Sequence, residues 1–259
     1  MRFQLAAWAV ALCLGAWLAE AAETAAAREG GIGQELSPAG PGVLIKGRDG
    51  LWRNRYAYSN APAAQVLDCA AIDRHALEAP ADVERSVESL AAYLTRPARS
   101  DVEKARAIFR WVADRITYDT EAYFSGRQER RAQAGGVLAS RRSVCSGYSG
   151  LFEQLARSAG LEAATIGGYG KGYGYTQGEP LTRPNHAWNG VRVDGRWYLL
   201  DATWASGHLE GREWVKSFDP FWFFTLPEQF IFTHLPTDPK WQLAPQPMSL
   251  EAFQKQPYV

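Results

Sequence analysis

The stretch HAWNGVRVDGRWYLLDATW, from His186 to Trp204, constrains the chain more tightly than any other part of it. Two runs rich in Val, Trp, Tyr and Leu flank Asp194-Gly195, a pair that takes up the positive φ values of a two-residue hairpin turn. A turn at that point fixes antiparallel pairing with Val193 facing Arg196, and carries the register back until His186 faces Thr203. Asp201 then lies two residues from Thr203, on the face of the sheet that His186 occupies. Diagonal neighbours on one face are roughly 7–8 Å apart, within reach of longer side chains. A slip of one residue would put the two on opposite faces.

A histidine beside a carboxylate is the orienting half of a nucleophilic site, because the carboxylate fixes the imidazole tautomer and stabilises the imidazolium that forms. Cys145 is the candidate nucleophile. It opens the run CSGYSGLFEQLARSAG, whose Leu151, Phe152, Leu155 and Ala159 recur at helical spacing and whose Gly160 suits the position after a C-terminal cap. Near a helix N-terminus, unpaired N–H groups and the positive end of the macrodipole favour a thiolate. Arg141 and Arg142 either add to that field or point to solvent. Each residue also has a plainer reading: His186 packed beside Trp188, Asp201 as a turn residue, Cys145 as a buried small hydrophobe or the disulfide partner of Cys69. It is their combination that favours chemistry.

Upstream of Cys145 the chain reads as helical. In SDVEKARAIFRWVADRI, Val102, Ala105, Ile108, Phe109 and Val112 form one stripe, and Ser100 with Glu103 three residues on forms an N-cap signal. PADVERSVESLAAYL carries a second apolar stripe, and RQERRAQ reads as a solvated helical face. Helices first and antiparallel strands second imply an α+β domain. The run FDPFWFFTLPEQFIF, 218–232, is interrupted by Asp219, Pro220, Pro227 and Glu228, so it reads as cover for the core or one wall of a cleft rather than a membrane span. The Gly-rich stretch from Gly167 to Gly178 is read as a loop that either shapes the route to His186 or serves only tight turns.

The N-terminus carries one positive charge at Arg2, an apolar run to Leu18 and then Ala19-Glu20-Ala21, which describes a signal peptide over residues 1–21. Residues 22–60, rich in Ala, Gly and Pro, are expected to form a linker or loosely packed arm, although GVLIKG suits a short strand; 61–259 form the main domain. Export implies a secreted or periplasmic protein in a compartment that permits disulfides, and no transmembrane span once the signal is removed. Twenty-eight basic residues balance twenty-eight acidic ones with no basic stripe, which argues against nucleic-acid binding. GYSG lacks the closing glycine of a serine-hydrolase elbow, because position 151 is Leu. Gly170-Lys171-Gly172 lacks the Ser/Thr of a phosphate-binding loop. Dispersed histidines and the absence of a Cys-x-x-Cys give no local support to a metal site.

Taken together, VCSGYSGLFEQLARSAGL, GYGKGYGY, NHAWNGVRVDGRWYLLDATWASG and KARAIFRWVADRITYD resemble the transglutaminase-like superfamily, and LPEQFIFTHLPTDPKWQLAPQPMSLEAF resembles the segment that follows the catalytic domain in its kyphoscoliosis-peptidase branch. The resemblance runs from roughly His75 to Phe253. It implies a papain-like core, with the Cys-bearing helix packed on an antiparallel sheet that carries His and Asp. It also places nucleophile, base and carboxylate on Cys145, His186 and Asp201. The backbone N–H of Cys145 is the expected oxyanion donor, with no side-chain donor assigned. The activity implied is that of a thiol enzyme, a cysteine peptidase, amidase or transglutaminase-like acyltransferase, acting on a protein or peptide substrate, or on a cell-envelope polymer, with no metal or organic cofactor. The alternative is a non-catalytic peptide- or polymer-binding module with an inherited triad. With two cysteines left after export, Cys145 is expected as a free thiol and Cys69 as a buried hydrophobe.

Overall fold

Asp194 and Gly195 both adopt positive φ, 50° and 76°, and join the strands His186–Val193 and Arg196–Leu200 through the tight turn that their residue types favour. The computed structural model describes residues 43–47, 49–54, 63–126 and 133–257, all within the unit that spans 41–259. In chain order its strands are β1 (Val43–Gly47), β2 (Trp52–Asn54), β3 (Ala63–Asp68), β4 (Thr117–Tyr118), β5 (Arg142–Ser143), β6 (Glu162–Gly170), β7 (His186–Val193), β8 (Arg196–Leu200), β9 (Gly207–Glu210), β10 (Glu213–Lys216), β11 (Phe223–Thr225) and β12 (His234–Pro236). Five of them form one antiparallel sheet in the order β11-β8-β7-β6-β12.

The ladder between β7 and β8 runs from Val193↔Arg196 to Asn189↔Leu200, the register the turn dictates. It ends there. The expected opposition of His186 to Thr203 does not form, because the chain turns away at Asp201, whose N–H donates to Trp222 O at 2.9 Å, and Trp204–Ser206 form a 3-10 turn. His186 instead pairs with Gly168 on the other side of β7.

The helix Cys145–Ser158 lies against this sheet, and the antiparallel strands with their preceding helices make the fold α+β. Tyr148, Leu151, Phe152, Leu155 and Ala156 are fully buried on its inner face. Its end is closed by paired bonds, Gly160 N–H to Arg157 O at 3.0 Å and Leu161 N–H to Ala156 O at 2.9 Å, with Gly160 at φ 79°. Asp101–Arg115 is the long helix expected, capped by Ser100 through Glu103 N–H at 3.3 Å, and every residue of its predicted stripe is buried. The second helical segment is Val87–Thr95, capped by Ser86 and preceded by a 3-10 turn at Val83–Arg85.

Two expectations change. Residues 43–54, placed in a linker or loosely packed arm with a short strand suited to GVLIKG, hold that strand as β1 and also β2, which pair with β3 as β2-β1-β3. Leu44 and Trp52 bury themselves in the core, and that apolar burial is what fastens the segment. The Gly-rich stretch begins as strand, not loop: Gly167, Gly168 and Gly170 belong to β6, and the loop spans 171–185. The proposed signal segment, residues 22–42 and most of RQERRAQ lie outside the described residues. The aromatic run 218–232 covers the core, with Phe223, Phe224 and Phe230 buried. Among the described residues no helix is long and apolar enough to cross a membrane.

Candidate active site

Cys145 is the first residue of its helix, where backbone N–H groups have no intrahelical acceptor. The turn before it is tight: a Cβ on Gly147 would fall 1.9 Å from Ser143 Oγ, so only glycine fits at the third helical position. The helix is docked to the sheet through the Ser149 carbonyl, which accepts from Asn189 Nδ2 at 2.9 Å and from Thr165 Oγ1 at 3.3 Å. Those bonds set the height of the thiol against β7.

At the start of β7, His186 Nε2 lies 2.6 Å from Asp201 Oδ2. Cys145 is close enough to interact with the His186 ring and helps to raise its pKa, and Nδ1 is the nitrogen that Asp201 leaves unengaged. The structure therefore brings the three sequence-selected side chains together. Burial opposes a charge on His186, but Asp201 beside it and the thiol outweigh that, so its pKa stands above that of an ordinary histidine. Asp201 is fully buried, and burial alone would raise its pKa. The two histidines hold it well below the usual carboxylate range. Its other oxygen, Oδ1, accepts from Thr203 N–H at 2.7 Å and Trp204 N–H at 3.0 Å.

Glycine at 170 is a requirement of this site. A Cβ there would stand 2.9 Å from His186 Cβ, so the neighbouring strand comes close enough to back the imidazole only without a side chain. Asn185 holds the loop to the same residue, accepting from Gly170 N–H at 2.6 Å and donating to Gly170 O at 3.0 Å. Arg141 and Arg142 do not stand free beside the thiol. Arg141 pairs with Glu84 at 2.6 Å and lies over the Trp111 ring, and Arg142 pairs with Asp119 at 3.3 Å.

Sequence reasoning missed His234. Its Nε2 lies 3.1 Å from Asp201 Oδ2, the same oxygen that His186 engages. His186, Asp201 and His234 keep donor atoms within 4.8 Å of one another, a set that a metal ion could in principle address. The separations of 2.6 and 3.1 Å are those of N–H···O bonds, however, and they suit protonated donors on a carboxylate. The only signal in the sequence was a histidine in FIFTHLP, distant from the hairpin.

A cavity of about 390 Å³ opens beside His186, walled by Tyr118, Tyr123, Trp204, Trp214 and Trp222. Burial first, and the neighbouring Cys145 second, raise the pKa of Tyr118 and Tyr123, keeping both phenols neutral beside the thiol. Both Cys69 and Cys145 are free thiols; Cys69 is buried, which pushes it up to about 12.

A thiol at a helix start, facing a histidine–carboxylate pair on an antiparallel sheet, is the arrangement of the papain-like α+β fold. The chain belongs to the transglutaminase-like superfamily, whose family model matches residues 88–202. Within it the chain falls in the kyphoscoliosis-peptidase branch. It is 38% identical over 182 residues to Kyphoscoliosis peptidase of Mus musculus, covering 68% of this chain and 27% of that protein. It is 32% identical over 201 residues to Lim and transglutaminase domain protein ltd-1 of Caenorhabditis elegans, covering 73% of this chain and 27% of that one. The chain thus spans about a quarter of the length of these curated relatives. A solved structure of a TGase is 22% identical, with a TM-score of 0.34, over 57% of this chain and 34% of that one.

Proposed function

We propose that the protein is an exported thiol enzyme that cleaves or transfers the acyl group of an amide bond in a protein or peptide, through Cys145, His186 and Asp201. The observation that carries this reading is His186 bonded to Asp201 on one nitrogen and partnered by Cys145. The Cys145 sulfur attacks the amide carbonyl, and His186 passes the thiol proton to the departing amine, leaving a thioester. Water resolves that thioester to a free acid, or a primary amine resolves it to a new amide, and either regenerates the thiol. The name peptidase borne by the Kyphoscoliosis peptidase relatives supports the hydrolytic branch. The aromatic cavity beside His186 is the proposed seat for the substrate side chain, with a cell-envelope peptide as the alternative source of that chain.

Export is supported by residues 1–21. N-terminal sequencing of the processed protein should start at Ala22, and a start at Met1 or Arg2 overturns it.

Treatment with a small amount of iodoacetamide, followed by peptide mapping, tests the chemistry. Cys145 should be labelled far faster than a thiol in an unfolded peptide, and Cys69 should stay unlabelled until the protein is denatured. A Cys145 that reacts no faster than an ordinary thiol counts against catalysis. Full complementation of a deletion by Cys145→Ala favours a binding module instead.

A further inference from the structure

His234 lies outside residues 88–202, which the superfamily model matches, yet it is fully buried with both ring nitrogens engaged. Its Nδ1 stands 2.8 Å from Thr233 Oγ1. That hydroxyl has one proton to give. The rival acceptor, Phe230 O, is 3.5 Å away, at the limit of a hydrogen bond, so the proton goes to Nδ1. Nδ1 is then an acceptor, and in a neutral ring the remaining hydrogen sits on Nε2, aimed at Asp201 Oδ2 at 3.1 Å. Burial lowers the His234 pKa to about 4, so the ring is neutral near pH 7. Its surroundings admit no other solvation: ring centroids of Phe230, Trp204, Trp188 and Trp222 lie at 4.1, 4.4, 5.0 and 5.3 Å.

Asp201 consequently accepts four N–H donors, two on each oxygen: Thr203 and Trp204 on Oδ1, His186 and His234 on Oδ2. A carboxylate offers about four lone-pair sites, so the set is complete. Three of these donors come from β7 and the turn after β8; the fourth arrives from β12, which pairs through His234↔Gly170 with the strand that backs His186. Given the proposed role of Cys145, His186 and Asp201, we infer that His234 is a positioning residue, holding the Asp201 carboxylate in the one orientation in which it grips His186. Without its N–H, a buried anionic oxygen loses a partner that no water can replace, and the carboxylate is freed to turn about χ2.

The test compares wild type with His234→Phe, which keeps a flat ring and removes the donor. His234→Gln places an amide N–H near the Nε2 position, and His234→Asn reaches only toward Thr233. Two readouts are taken: the rate of Cys145 alkylation by iodoacetamide, and the low-field imidazole N–H resonances of ¹⁵N-histidine-labelled protein. Expected are a loss of about 10-fold in alkylation rate for Phe and Asn, recovery in Gln, and displacement of the His186 Nε2–H resonance wherever the rate falls. Folded Phe or Asn variants that match wild type in both readouts overturn the inference; if Phe does not fold, equal rates in Gln and Asn do so. In the wild-type protein alone, the Nε2 protons of His186 and His234 should show a through-space contact, and its absence overturns the inference without any variant. Failure of the parent reading is recognised separately, since it would appear as an unreactive Cys145 in the wild type while the resonances persist.

Discussion

Asp201 and its two histidines titrate in different directions, and the signs give the protein a distinctive acid response. His234 has its pKa lowered by burial to about 4, so between about 6.5 and about 4 the unfolded chain holds a proton that the folded one refuses. Stability therefore falls as pH drops through that window. His186, whose folded pKa is raised, contributes fully below about 6.5 and loses its contribution only as pH climbs above it. Asp201, whose folded pKa is depressed, keeps its contribution down to about 3.9 and loses it only below. Urea midpoints should thus drop between pH 7 and pH 5, and the drop should shrink in His234→Gln, which has nothing to protonate. An equal drop in both proteins would place the acid sensitivity elsewhere. At this scale the sequence singled out Cys145 from a helix start and His186 and Asp201 from a hairpin argument, and the His186–Asp201 contact forms although the ladder ends at Leu200. It did not disclose His234, Asn185 or the need for glycine at 170, because those depend on which strands become neighbours.

The helix Asp101–Arg115 is fastened to the earlier helix Ala70–Leu77 by an ion pair in which Arg106 Nε and Nη2 meet Asp73 Oδ1 and Oδ2 at 2.7 and 2.6 Å. Arg106 is fully buried and stacks against Phe109, Phe218 and Phe223, so its charge has no route to water. Removing the carboxylate leaves a buried cation, a change that costs roughly 3–5 kcal/mol. Asp73→Ala should lower unfolding free energy by about that amount in denaturant titration, and the double variant Asp73→Ala/Arg106→Met should recover much of it. A single variant within about 0.5 kcal/mol of wild type would show that the pair is not held as described. Elements built on local signals were legible: the Asp194-Gly195 hairpin and its register, the Ser100 cap, the Gly160 stop. Elements that exist through distant pairing were not. Strand β2 depends on its pairing with β1, the strand that GVLIKG did signal, and the three glycines of β6 look like loop until Leu235 and His186 are seen pressing on Gly168 and Gly170.

At the scale of the described residues, the segment after the sheet returns to the loop that leads to His186. Lys171, the residue after Gly170, is fully buried and donates through Nζ to Phe253 O at 2.7 Å and Gln256 O at 3.1 Å, while lying over the Phe253 ring. A cation at the end of the short helix Leu250–Lys255 adds a donor to carbonyls at the negative end of the helix, one of which, Phe253 O, also accepts from the Gln256 N–H at 3.1 Å. The same helix holds the loop 171–185 at two more points, Leu181 N–H to Gln254 Oε1 at 2.6 Å and Gln177 Nε2–H to Gln256 O at 3.2 Å. The loop ends at Asn185 and His186, so the C-terminal helix fixes the path by which the imidazole is delivered. Lys171→Met keeps the apolar stem and removes the donor, leaving Phe253 O with the Gln256 N–H and Gln256 O with Gln177 Nε2 as their remaining donors, at a cost of about 1 kcal/mol. Hydrogen exchange should speed up together in 171–185 and 250–256, with the β7–β8 hairpin remaining protected and Cys145 alkylation slowed. Exchange in 171–185 that stays at the wild-type rate would show that the loop holds its course without the helix.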